Sequence, residues 1–71
     1  MGFESAVAAG LAEVGVSARL TTEIEGDATM IVASGDGWDQ HFGFLTGDER
    51  AASGIPTFIR ACRKAQERAN V

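Results

Sequence analysis

From Arg19 the apolar residues of this chain change to recurring at every second position, and glycine-bearing turns break the stretch to Leu45 twice. Side chains alternate between faces along a strand, so this period marks strands half-buried in a sheet. Leu20, Thr22 and Ile24 alternate with Arg19, Thr21, Glu23 and Glu25. Gly26-Asp27 then supplies a short hairpin connection, with glycine accepting the positive φ that such turns need. Ala28 to Ser34 reads as a second strand, apolar on both faces through Met30, Ile31, Val32 and Ala33. Ser34-Gly35-Asp36-Gly37 is a second turn signal. Trp38 to Leu45 is the third strand, with Trp38, Gln40, Phe42 and Phe44 toward a core and Asp39, His41 and Gly43 outward. Two successive hairpins dictate an antiparallel meander with the second strand in the centre.

Helical periods flank this meander. Phe3, Ala6, Val7, Gly10, Leu11 and Val14 keep one face, and Gly15 suits the left-handed cap that ends a helix. The opposite face carries Ser5, Ala8, Ala9 and Ala12. After the third strand, Thr46 and Glu49 have capping-box spacing, and Asp48 offers an alternative cap. The stretch to Gly54 reads as a loop or one helical turn, and Pro56 sits in the first turn of a helix that runs to about Ala69. Ile55, Phe58, Ile59, Cys62, Gln66 and Ala69 share one face of that helix. The predicted architecture is α+β in the order α-β-β-β-α, with both helices packed on one sheet face, as a single domain over residues 1–71. The predicted core is Phe3, Val7, Leu11, Val14, Leu20, Ile24, Met30, Val32, Phe42, Phe44, Ile55, Phe58, Ile59 and Cys62. Ile31, Trp38 and Leu45 are left without partners. Ile31 is expected on the helix-free face, as the apolar centre of a charged rim.

In order and length the chain resembles a double-stranded-RNA-binding domain, over about Phe3 to Ala69. That family clamps phosphates with lysines at the start of its second helix. Here the matching stretch is Gly47-Asp48-Glu49-Arg50-Ala51-Ala52, with two acids in place. The resemblance implies the topology and does not carry the function.

Charge is unevenly placed. The net charge is −4, but residues 1–49 hold nine acids against Arg19, for −8, and residues 50–71 hold five bases against Glu67, for +4. A charged partner is the expectation such asymmetry raises. No apolar run approaches the roughly 20 residues of a membrane span. No secretory leader or N-myristoylation pattern is read at the N-terminus, and Cys62 has no second cysteine to pair with. The expectation these features raise is a reducing cytoplasmic, intracellular setting, away from membranes.

Few patterns carry chemistry. Gly35-Asp36-Gly37 precedes a strand and lacks the third glycine of a dinucleotide loop. His41 and Asp39 share a strand face but supply only two metal ligands. Cys62 falls on an apolar helix stripe, where a thiol is a small hydrophobe. No catalytic, cofactor-binding or metal-binding residue is assigned, and a non-enzyme is expected. A chain this small also has no core large enough to enclose an elaborate active site.

The first functional expectation is a protein-interaction module. Its acidic sheet face and turns would supply Glu23, Glu25, Asp27, Asp36, Asp39, Ile31 and His41, meeting a partner with a basic surface. Such carboxylates imitate a nucleic-acid backbone, which fits an inhibitor of a nucleic-acid-handling complex. Inhibitors made by viruses against host defence have this general size and acidity. The alternative is an RNA- or DNA-binding domain using Arg60, Arg63, Lys64 and Arg68 on the outer face of the last helix. A second alternative is a structural homo-oligomer joined through Ala8, Ala9 and Ala12.

Overall fold

The computed structural model describes residues 3–70. Met1, Gly2 and Val71, which the expected domain and the N-terminal pattern include, lie outside the described residues. Helix α1 spans Phe3–Glu13, and strands β1, β2 and β3 span Arg19–Glu25, Ala28–Gly35 and Trp38–Leu45. A short 3-10 helix, Glu49–Gly54, leads directly into α2, Ile55–Ala69. The predicted α+β order is therefore present, and the sheet is an antiparallel meander in the order β1-β2-β3. Asp48 starts the 3-10 turn, its carboxylate accepting from the Arg50 N–H at 3.0 Å.

Gly15 ends α1 as predicted, with φ of 75°. Its N–H donates to the Ala12 carbonyl at 3.2 Å, and the Val16 N–H donates to Leu11 at 2.9 Å. This paired arrangement turns the chain back on itself and returns Val16 to the core beside Leu11. Val16 is buried, and Val14, predicted in the core, is 38% exposed. Beyond the left-handed residue the helical period no longer applies, so a stripe extrapolated to Val14 misses Val16.

Both helices lie on one face of the sheet. α2 lies across β3 and beside α1, and α1 reaches β1 only lightly. The helices meet at Gly10, where an added Cβ would fall 2.1 Å from the Ile59 Cδ1 atom. A glycine on the inner stripe of α1 thus lets Ile59 seat against its backbone. Four aromatic rings tie the layers together. Phe3 lies 5.1 Å from Phe44, Phe44 lies 5.2 Å from Phe42, and Phe42 stacks on Phe58 at 5.4 Å.

The register corrects the predicted faces of β2. Glu25 opposes Ala28 across the first turn, and Gly35 opposes Trp38 across the second. Leu20, Thr22 and Ile24 then pair with Ala33, Ile31 and Thr29, and Ile31 pairs with Phe42. Opposed residues share a face, so the odd positions of β2 lie beneath the helices. Ile31 is 1% exposed and belongs to the core, with Val7, Leu11, Val16, Ala33, Phe58 and Cys62. Met30 and Val32, predicted in the core, lie on the helix-free face, where Met30 is 40% exposed. A one-residue change of parity moves every side chain of a strand to the other face. Ile24 points to the helix side, as predicted, but α1 stops short of covering it and it stays 69% exposed. Trp38 packs against the core over Gly35, and Leu45 lies on the open face, 61% exposed.

Candidate functional surface

The helix-free side of the sheet is a small lattice set by the two registers. Its cross-strand rows are Arg19-Ser34-Asp39, Thr21-Val32-His41, Glu23-Met30-Gly43 and Glu25-Ala28-Leu45. An apolar patch of Val32, Met30, Ala28 and Leu45 occupies the centre and one corner. Glu23 and Glu25 border it along β1. A shallow cavity of about 450 Å³ opens between Glu23, Glu25, Met30 and Leu45. Gly43 widens it, since no side chain stands between Met30 and the β3 edge.

On β3 the His41 Nε2 atom lies 3.0 Å from an Asp39 carboxylate oxygen, and both side chains are more than half exposed. Arg19 enters the opposite corner, so the face carries three carboxylates and one guanidinium. Among the described residues no group of three or more His, Cys, Asp or Glu is arranged to hold a metal ion.

Of the residues predicted for this surface, Glu23, Glu25, Asp39 and His41 come together on the open face. Asp27 and Asp36 sit in the two turns, at opposite ends of the sheet. Ile31 does not belong here, because it faces the helices. Met30, Val32, Leu45 and Arg19 belong to the face and are missing from the predicted set. The signal for them lay in the turns. A two-residue turn makes the first strand residue after it oppose the last one before it. Counting back from Gly26-Asp27 then pairs even positions of β1 with odd positions of β2.

The other charged surface lies across the molecule. Arg60, Arg63, Lys64 and Arg68 are all exposed on the outer side of α2. Arg63 reaches Glu67 at 3.4 Å, one helical turn on, and an Arg60 N–H donates to the Thr57 hydroxyl at 3.3 Å. The acids of the open face and the bases of α2 thus occupy the two outer surfaces of a two-layer molecule. No helix among the described residues is long and apolar enough to cross a membrane.

Cys62 is fully buried, as its place on the apolar stripe requires. Burial pushes its thiol up to about 11 from the ordinary 9.0, by desolvating the thiolate. The thiol stays protonated in the fold while the unfolded chain ionises near 9.0, so its contribution is complete below that pH and fades as pH rises toward about 11. Wild type should therefore lose up to about 1.4 kcal/mol per pH unit more than Cys62→Ala across this window. Urea midpoints of the two proteins at several pH values measure the difference, and parallel curves would remove the claim. A protonated, enclosed thiol is also a poor nucleophile.

The chain has no match among protein-family models, curated proteins or solved structures.

Proposed function

We propose that this chain is a non-catalytic protein-interaction module that works through its open sheet face. Its partner would be a nucleic-acid-handling protein whose basic, phosphate-binding surface this face occupies, which makes the chain an inhibitor. The observation that carries the reading is the exposure of Met30 and Leu45, 40% and 61%, on an uncovered sheet bordered by carboxylates. An apolar centre gains from leaving water, and a charged border steers the approach and selects the partner. Glu23 and Glu25 stand two residues apart, about 6.7 Å along the strand. Both lie on the open face, a pair of spaced negative charges of the kind a phosphate-binding groove accepts.

The test is capture of a partner on the immobilised protein, followed by competition. Glu23→Lys with Asp39→Lys should weaken the captured complex by at least about tenfold while the circular dichroism spectrum stays unchanged. Duplex nucleic acid added as competitor should release the partner. Undiminished binding by the double variant would overturn the reading. So would direct binding of duplex RNA or DNA at low salt that Arg63→Glu abolishes, since that assigns the function to α2.

A further inference from the structure

Strand β1 stands at the edge of the sheet. Every residue of it except Leu20 is exposed, and among the described residues no other backbone bonds to its outer side. Edges are ordinarily guarded by proline, lysine, a bulge or short length. Here seven regularly paired residues carry no proline, lysine or bulge, and the charged side chains that also guard an edge, Arg19, Glu23 and Glu25, all lie on the open face.

Parity shows which groups the edge offers. The Thr46 N–H donates to the Asp27 carbonyl at 2.7 Å, so the odd-numbered residues of β2 direct their peptide groups toward β3. The even-numbered ones bond to β1, where their partners are Arg19, Thr21, Glu23 and Glu25. The peptide groups of Leu20, Thr22 and Ile24 therefore point away from the sheet.

These free groups complement themselves. A dyad perpendicular to the sheet pairs two β1 strands antiparallel and keeps both open faces on one side. Thr22 opposite Thr22 then sets Leu20 opposite Ile24 twice, and all three free residues form hydrogen-bonded pairs, about six bonds in all. A shift of two residues leaves one of them without such a partner. The same register sets Arg19 opposite Glu25 twice, at the non-hydrogen-bonded positions where side chains come closest. It also gives Ile24 an apolar neighbour in Leu20.

The helix above fits this arrangement. The Thr22 hydroxyl donates to the Glu4 carboxylate, so the Glu4 side of α1 flanks β1. Ala8 and Ala12 follow Glu4 at one-turn steps on that flank, while Gly10 faces α2. Ile24 of one copy, beside Leu20 of the other, would come beneath this row of small side chains.

We propose that the protein forms a dyad-symmetric dimer through β1 in the Thr22-on-Thr22 register, merging two sheets into one of six strands. This goes beyond the binding reading above and stands independently of it. Sedimentation equilibrium from about 10 µM to 1 mM should show the mass rising from 7.4 kDa toward twice that value. Glu25→Arg sets guanidinium against guanidinium twice and should weaken association by at least about tenfold. Arg19→Glu combined with Glu25→Arg restores opposite charges in this register alone and should recover the dimer. A mixture of Arg19→Cys and Glu25→Cys proteins should cross-link on mild oxidation, and Glu25→Cys alone should not. A monomer at every concentration overturns the proposal, as does a dimer indifferent to Glu25→Arg or lost in Ala9→Glu instead. Both charge positions are exposed, and unchanged circular dichroism separates lost association from lost fold.

Discussion

Replacing Ile31 by alanine should cost about 2–5 kcal/mol of folding stability, and replacing Met30 by alanine about 1 kcal/mol or less. The two neighbours are similar in size and opposite in orientation. Ile31, 1% exposed, sits at the centre of the core beneath both helices, while Met30 is 40% exposed on the open face. Truncating Ile31 removes apolar contacts and leaves a void that close-packed neighbours fill only in part. A chain of 71 residues carries on the order of 4–11 kcal/mol in total at typical values per residue. The Ile31 substitution therefore removes a large share of it, and thermal unfolding should shift by at least about 8 °C, at roughly 4–8 °C per kcal/mol. Equal losses for the two variants would show that the parity of β2 is wrong.

The second large effect is expected at Phe58. Its ring is 5% exposed and stacks on Phe42, whose other neighbour, Phe44, contacts Phe3. Phe58 is thus the point where α2 joins an aromatic row reaching through β3 to the start of α1. Phe58→Ala should cost about 3–5 kcal/mol. Phe58→Leu should recover more than half of that, because it refills most of the volume but not the ring stacking. Urea titration of both variants gives the comparison. A loss below about 1 kcal/mol for alanine would mean that the row does not anchor α2.

These two positions also show what the sequence made legible. Phe58 is readable because α2 has a clean 3.6-residue stripe with charge on its far side. Ile31 is not readable from its own strand. Met30, Ile31, Val32 and Ala33 are all apolar, so alternation within β2 cannot distinguish the faces. The distinguishing information lies in the turns and in β1 and β3, whose alternation is clear and whose short connections fix parity. Val16 escapes for a different reason, since it follows a reversal of the chain at Gly15. The acidic members of the open face were legible from β1 and β3 alone. Its apolar members depended on the parity of β2, and so the predicted set held the three carboxylates of the face, missed Arg19 and named the wrong centre.

The side chain of Gln66 carries a consequence for how the molecule assembles. Its amide accepts from the Ser17 N–H at 3.0 Å and donates to the Gly15 carbonyl at 3.2 Å, across 49 and 51 residues of chain. The hairpins close over two residues each and need no distant segment to form. The bend that returns α1 to the sheet finds the partners for its two exposed peptide groups only when α2 arrives. Closing a loop of this length has an entropic cost that local pairings avoid. Gln66 therefore fastens the bend after α1 to α2, and the first and last helices depend on each other through it.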